Sequence, residues 1–305
     1  MGSFARTAGG IGAAVLAGAA LTMAQAPVQA AARKQVVVPC SSPALAAAIT
    51  AANATSATLF LAANCTYDIT TAATATDALP IITGNVRLVG GPSTTIRRNP
   101  AAGAVRILEV ATTGTLRVDG IFILNGAPGA AVTGGGIQNA GSLTLNQVTL
   151  SGNTTTTAAG GGVNNAASGQ ATILRTIISG NTATGGSGAG VNNAGSLTIR
   201  ETRLSANNAT DAATGGGGLT TQTGATSSVI QSTLDHNTTT GSGGGIRNLG
   251  NTLVDHTLIE LNAATISGGG IFNLAPGTVT IFTSTIRNNT PNNCFPLNSI
   301  AGCTN

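Results

Sequence analysis

The chain has 305 residues, of which 7% are charged and 2% aromatic, and it contains 43 glycines. Ordinary globular domains carry about 25% charged residues. The net charge of +4 is small and dispersed, and no Lys/Arg cluster with aromatic residues is present, so nucleic-acid binding is not expected. No apolar run of about 18 residues follows the N-terminal region, so no transmembrane segment is expected in the mature protein.

Residues 1–30 have the pattern of a secretory signal peptide. Arg6 supplies the positive start, residues 11–23 form an apolar stretch, and small residues precede a cleavage site after Ala30. The sequence therefore predicts a secreted, extracellular protein that can associate with a cell surface.

Residues 31–57 are expected to form an N-terminal cap that contains a helix. Ser42 can cap this helix, Pro43 suits its first turn, and Leu45 and Ile49 share one face. A stack of strands leaves unpaired backbone at its ends, and an amphipathic helix can cover one of them.

A repeat of 25 to 28 residues fills the chain from Gly134 onwards. Each copy has a glycine-rich triplet, then an aliphatic residue, and two positions later an asparagine. The triplets begin at Gly134, Gly160, Gly188, Gly216, Gly243 and Gly268, and the asparagines are Asn139, Asn165, Asn193, Asn248 and Asn273, with Thr221 in the fourth copy. A fixed period of this length is typical of a solenoid.

Each copy also carries short runs in which apolar and polar residues alternate, which is typical of strands. Two inward columns are predicted: Leu145, Ile173, Ile199, Val229, Val254 and Ile281, and Leu150, Ile178, Leu204, Leu234, Ile259 and Ile286. We therefore predict an all-β, single-stranded parallel β-helix over residues 58–290, with three short strands per coil and about eight coils. Variable segments such as residues 154–159 are assigned to loops.

The asparagine column can have two roles. Stacked side-chain amides can bond from coil to coil inside a bend. The alternative is that asparagine only favours the left-handed backbone angles of a turn. We favour the ladder for the five asparagines listed above.

Four cysteines allow three pairings in a secreted protein. Their separations favour Cys40 with Cys65 and Cys294 with Cys303, and the second pair would close a C-terminal cap over residues 291–305. A zinc site is the alternative, but no Cys-x-x-Cys pair is present and both histidines lie far from the cysteines in sequence. No metal is expected.

Several motifs resemble those of a known class of protein. They are the start "CSSPALAAAI", the strand "LAANCTY", the "GGGI-x-N" copies and the tail "NTPNNC". Together they are similar to secreted bacterial right-handed parallel β-helix repeat proteins of actinobacterial type, and the copies resemble the repeats of polymorphic outer-membrane proteins. Aliphatic residues such as Leu150 replace the phenylalanine of the latter repeats. The resemblance implies a right-handed β-helix of the pectin lyase-like type.

Candidate catalytic residues are few, because the chain has only nine acidic residues. Asp235 and Glu260 occupy one position in consecutive copies, and Arg287 follows in the next. A glycosidase needs two carboxylates that flank one bond, and like-charged neighbours could also hold calcium. The favoured interpretation is instead a solvated column in which Arg287 balances Glu260.

Two outward features of the repeat bear on which ligands it can bind. Phe272 and Phe282 are outward aromatics, and the C-terminal cap with Phe295 is expected to pack over them. Ice binding would need two regular threonine columns. One is nearly complete (Thr144, Thr172, Thr198, Ser228, Thr280), but the residue two positions further on varies, so ice binding is not favoured.

The leading hypothesis for function is a non-catalytic surface protein, of adhesion type, that binds envelope or extracellular polysaccharide weakly. The alternative is a polysaccharide lyase or glycoside hydrolase. Fold alone does not distinguish them, because β-helices host both classes.

Overall fold

A computed structural model describes residue 2, residues 33–297 and residues 299–305. Over these residues the chain is a parallel β-solenoid of about ten coils, which confirms the all-β prediction and adds about two coils to it. The predicted signal peptide, apart from Gly2, lies outside the described residues. No helix in the described part is both long and apolar enough to cross a membrane.

Successive coils place their strands side by side in four parallel sheets. The ten-stranded sheet holds the longest strands, each of them five residues long. Its members are Lys34–Val38, Ala57–Leu61, Asn85–Val89, Thr115–Asp119, Ser142–Asn146, Gln170–Leu174, Ser196–Arg200, Thr226–Ile230, Asn251–Asp255 and Thr278–Phe282.

The nine-stranded sheet follows along each coil. It contains Thr66–Ile69, Thr95–Arg98, Phe122–Leu124, Thr149–Ser151, Ile177–Ser179, Arg203–Ser205, Thr233–Asp235, Leu258–Glu260 and Thr285–Arg287. The eight-stranded sheet carries the six strands that follow the glycine triplets and one further strand at each end. Its members are Leu108–Val110, Ile137–Asn139, Val163–Asn165, Val191–Asn193, Leu219–Thr221, Ile246–Asn248, Ile271–Asn273 and Cys294–Phe295.

A five-stranded sheet adds a fourth short strand to five coils, where three strands per coil had been predicted. It contains Thr154–Thr156, Thr182–Thr184, Asn208–Ala209, Thr238–Thr239 and Ala263–Ala264. The variable length of the copies predicts loops in this part of the repeat, as at residues 154–159. These segments become strands because each can pair with the same segment of the next coil, a contact that no single copy reveals.

The register brings the predicted inward columns together. Leu145 pairs with Ile173, Ile173 with Ile199, and so on to Ile281. The second column runs from Leu150 to Ile286 in the same way. All these side chains are buried except Ile281, which is half-buried on the last coil, and they form one continuous core.

Among the residues that the structure describes, one α-helix, Ser42–Thr55, and one short 3-10 helix, Pro100–Ala102, interrupt the strands. Leu45 and Ile49 are fully buried in the core, as their shared face predicts. Ser41 rather than Ser42 is the N-cap, because Ser41 has the extended backbone that a cap requires. The Ser42 hydroxyl instead donates to the carbonyl of Asp68 at 2.9 Å.

Both predicted disulfides, Cys40–Cys65 and Cys294–Cys303, are confirmed. The second joins the strand Cys294–Phe295, which pairs with Ile271–Asn273, to the C-terminal segment. Each bond therefore ties a segment near one end of the described chain to the outermost coils.

Candidate functional site

The candidate carboxylates lie in one column of the nine-stranded sheet. Asp235 is in register with Glu260, and Glu260 with Arg287, as the repeat predicts. A shared register brings the backbones of these residues together, but it does not determine which groups their side chains bond. The chemistry of the column therefore depends on what each carboxylate binds.

Asp235 is bonded by two neighbouring side chains, Arg203 and His236. Arg203, on the preceding coil, donates to both carboxylate oxygens at 2.8 and 2.6 Å, and His236 Nδ1 lies 2.8 Å away. Burial alone raises the pKa of Asp235, but the hydrogen bonds from Arg203 and His236 outweigh it and lower the pKa below its usual value. Asp235 is thus a fixed carboxylate and is unsuited to act as a general acid.

Glu260 forms an ion pair with Arg287. Arg287 Nη2 and Nε donate to Glu260 Oε2 at 2.8 and 2.9 Å. The arginine is mostly exposed and the pair lies on an outer sheet face. Exposed pairs of this kind contribute little, typically 0–1 kcal/mol. Asp235 and Glu260 therefore form two separate ion pairs and do not share a proton.

The two histidines are exposed and each bonds the aspartate that precedes it. His256 Nδ1 lies 2.7 Å from Asp255 at the end of a strand of the ten-stranded sheet. His236 and Asp235 have the same arrangement at the end of a strand of the nine-stranded sheet. Within the described ranges, no group of three or more His, Cys, Asp or Glu side chains could hold a metal ion.

The asparagines after the glycine triplets lie in register in the eight-stranded sheet. Asn139 Nδ2 donates to Asn165 Oδ1 and Asn165 Nδ2 to Asn193 Oδ1, both at 2.7 Å. Asn248 Nδ2 donates to Asn273 Oδ1 at the same distance. These contacts are the coil-to-coil bonds that distinguish a ladder from isolated turn residues.

Thr221 interrupts this column and the structure bridges the gap with hydroxyls. Asn193 Nδ2 donates to Ser227 Oγ at 2.9 Å, and Thr221 Oγ1 donates to the same oxygen at 2.8 Å. Thr252 lies 2.9 Å from Thr221 and donates to Asn248 Oδ1. The neighbouring strand thus supplies the hydrogen bonds that the shorter side chain cannot.

A second asparagine column is unbroken. It comprises Asn153, Asn181, Asn207, Asn237, Asn262 and Asn289 at the corner between the nine- and five-stranded sheets. Each side-chain amide donates to the next side-chain oxygen at 2.9–3.0 Å, and that oxygen also accepts the backbone N–H of the previous asparagine. The sequence contains this column, because every alternating run ends in asparagine.

A hydroxyl column that the sequence interpretation missed lines a third corner. It comprises Thr176, Thr202, Ser232, Thr257 and Ser284, and each oxygen accepts the backbone N–H of the preceding member. The sequence signal for this column is a Thr or Ser two residues before the members of the second inward column, as in Thr176 and Ile178. Three internal columns therefore bond successive coils to one another at the corners of the solenoid.

A buried charged cluster lies outside the repeat and was also missed. Arg106 Nε lies 2.7 Å from Asp77, and Arg106 Nη2 lies 3.3 Å from Glu109. Burial raises the pKa of Glu109; Arg106 acts against this shift and Asp77 adds to it. Residues 73–82 have no repeat pattern, so nothing in the sequence places Asp77 beside Arg106.

The outer face of the ten-stranded sheet carries a shallow hollow of about 250 Å³. No charged side chain lines it. Its outward-facing lining is Thr226, Ser228, Asn251, Leu253, Thr278 and Thr280. Hydroxyls, one amide and one apolar side chain offer donors, acceptors and a contact surface together.

Phe282 flanks this hollow. It lies two residues after Thr280 on the same strand, so both side chains project from the same face. Phe282 is 56% exposed, whereas Phe272 stacks on Phe295 with ring centroids 5.7 Å apart. The expected covering of both aromatics by the C-terminal segment is therefore correct for Phe272 and wrong for Phe282, which lies on a different sheet.

A larger cavity of about 420 Å³ lies beside the helix and is lined mainly by apolar groups such as Ala46, Ile69 and Leu79. It offers no charged side chain for chemistry.

In comparisons with known proteins, no family model, no curated protein and no solved structure matches this chain.

Proposed function

We propose that the chain is a secreted, non-catalytic surface protein of adhesion type that binds envelope or extracellular polysaccharide. The binding face is the outer face of the ten-stranded sheet around the hollow. The observation that carries the proposal is the exposed ring of Phe282 beside a hollow lined with hydroxyl and amide groups. An aromatic face packs on the C–H surface of a sugar ring, while hydroxyls and amides bond its oxygens.

Two further features support an extracellular location. The N-terminal residues read as a signal peptide, and both cysteine pairs form disulfides, which persist in oxidising compartments. The state of the candidate carboxylates supports a binding role, because Asp235 and Glu260 are each neutralised by an arginine. A lyase or hydrolase needs an acid or base that is free to exchange a proton.

The first prediction tests the binding face. A glycan array first identifies a polysaccharide that binds the purified chain. Phe282→Ala should weaken binding to that polysaccharide by roughly tenfold, equivalent to about 1.4 kcal/mol. Phe60→Ala is the matched control, because Phe60 projects from the same sheet near its other end and is 36% exposed. Affinity measured by titration of soluble oligosaccharides should be unchanged in the control.

Two results would contradict the proposal. One is equal loss of binding in both variants, which would place the site elsewhere. The other is release of unsaturated or reducing-end products that disappears in Asp235→Asn/Glu260→Gln, which would establish the lyase or hydrolase alternative.

A further inference from the structure

The outer face of the five-stranded sheet repeats threonine in two dimensions. The first outward column comprises Thr154, Thr182, Asn208, Thr238 and Ala263, which are paired in register. The second, two residues further along each coil, comprises Thr156, Thr184, Thr210, Thr240 and Thr265. Thr156 pairs with Thr184, and the backbone N–H groups of Thr210, Thr240 and Thr265 continue the same ladder from coil to coil. Eight of the ten positions are threonine.

Most of these hydroxyls are free to bind something outside the chain. Within the described residues, the hydroxyls of six members bond no protein atom: Thr154, Thr156, Thr182, Thr184, Thr210 and Thr240. All five members of the second column are exposed. The column between the two faces inward and is buried, with Thr155, Ala183, Ala209, Thr239 and Ala264. Side chains therefore alternate between the two faces. Five outward threonines lie on the strands, and Thr210, Thr240 and Thr265 directly follow a strand, with their backbone N–H groups bonded to the previous coil.

The backbone beneath this face is well fixed. The unbroken asparagine column lies directly before each strand, and its amides bond from coil to coil at every step. The spacing of the hydroxyls is then set by the sheet itself: about 4.8 Å between coils and roughly 6.7 Å between the two columns. The face lacks charge, apart from Asp211 at its margin, which is held in its own loop by Thr214 and the Ala213 N–H.

These features select the class of ligand. A flexible or one-dimensional ligand contacts only part of this two-dimensional array of mostly threonine side chains, and the array itself has no aromatic ring to stack on a sugar and no charge to bind an ion. A ligand whose own surface repeats in two directions with similar spacings can contact every member of the array. Water molecules on a prism face of ice repeat in this way, and each threonine offers a hydroxyl to bond a lattice water and a methyl to pack between waters.

We propose that the threonine face of the five-stranded sheet binds ice. Each threonine contributes little, but the contacts add because the sheet holds all of them in register at once. Charged side chains would disrupt this face by holding water in their own hydration shells. The site is separate from the polysaccharide-binding face proposed above, so either proposal can fail without the other.

The prediction is tested with the purified full chain and ice grown in buffered water. The wild-type chain should separate the freezing point from the melting point and slow recrystallisation. Thr184→Lys/Thr210→Lys, in the middle of the face, should abolish both effects. The matched control is Thr172→Lys/Thr198→Lys, two outward threonines that are also in register on adjacent coils but in the ten-stranded sheet. The control should keep the wild-type activity.

Melting temperatures of the two lysine pairs establish that both variants are folded. Thr184→Val, which keeps a methyl group and removes the hydroxyl, provides a second variant that adds no charge; it should weaken activity without altering stability. The proposal is overturned if the wild-type chain leaves ice growth unchanged, if the two lysine pairs have equal effects, or if the face retains an insoluble polysaccharide instead of ice.

Discussion

Single charged residues in this solenoid are controlled by the partners that neighbouring coils provide. The sequence places Asp235 with Glu260 in a solvated column of the nine-stranded sheet. In the structure, Arg203 from the preceding coil bonds Asp235 and favours its ionised form. Glu109 is in the opposite situation, because burial and Asp77 oppose its charge more than Arg106 favours it. An ionised carboxylate is therefore favoured in the folded state at Asp235 and disfavoured at Glu109, and the difference lies in the surrounding groups.

The residue-scale prediction concerns Glu109→Gln. A carboxyl whose pKa is raised in the folded state stabilises the fold fully below its unfolded pKa of about 4.3 and loses this contribution as pH rises through the folded pKa. The variant should therefore match the wild type at acidic pH and become relatively more stable as pH rises to 7. The free energy of unfolding, measured in urea at several pH values, checks this.

The matched control is Glu201→Gln, at an exposed glutamate that pairs with Arg200 on the surface. Its stability relative to the wild type should change little with pH. A Glu109→Gln variant that loses stability as pH rises would mean that the ion pair with Arg106 outweighs the cost of burial.

At the scale of elements, short strands persist here because side chains at the corners replace the hydrogen bonds that a long sheet would provide. The strands of the five-stranded sheet have two or three residues each, and an isolated strand of that length is unstable. The asparagine and hydroxyl columns satisfy the backbone N–H groups at the bends, so no polar group need be left unpaired there.

The element-scale prediction concerns Asn207→Leu. Its Nδ2 donates to Ile178 and Asn237, and its Oδ1 accepts two bonds from Asn181, so the substitution leaves several buried groups unpaired. The free energy of unfolding should fall by about 2–4 kcal/mol. Thermal and chemical denaturation measure the loss.

An exposed asparagine supplies the comparison. Asn251→Leu changes an outward side chain of the ten-stranded sheet, where Leu253 already projects from the same strand, and should alter stability by no more than about 0.5 kcal/mol. Similar losses in both variants would mean that the ladder contributes nothing beyond general polarity.

At the scale of the whole molecule, each coil contacts mainly the coils before and after it. Neighbouring strands in each sheet therefore come from successive coils, and the core is one continuous column. Stability in such a chain is approximately a sum over coils and the interfaces between them. A complete coil can therefore be removed, whereas part of one cannot.

The molecular-scale prediction is that deletion of residues 182–207 leaves a folded protein. The deletion joins Asn181 to Asn208, and Asn208 is in register with Thr182, so the coil closes as before. The far-UV spectrum should remain that of a strand-rich protein, and the solenoid should shorten by about 4.8 Å. Small-angle scattering measures the length.

Deletion of residues 182–194 provides the contrasting variant, because it joins the corner asparagine to Gly195 and shifts every later strand out of register. It should lose cooperative unfolding. If the full-coil deletion behaves in the same way, the coils are not interchangeable units.

The sequence by itself determined the period, the inward columns and the strand-only repeat. These follow from rules that act within one copy or between equivalent positions: alternation sets which side chains face inward, and a fixed period stacks like on like. The position of Asp235 beside Glu260 in the register was predictable for the same reason.

Only the tertiary structure decided what the outward residues do. Arg203 reaches Asp235 across coils from a different column, residues 73–82 bring Asp77 to Arg106, and Phe282 stays open while Phe272 is covered. The threonine strands of the five-stranded sheet exist only once neighbouring coils are in place. The physical reason is that the period specifies the backbone stack, whereas the path of irregular segments and the direction of long side chains depend on which groups happen to meet across coils.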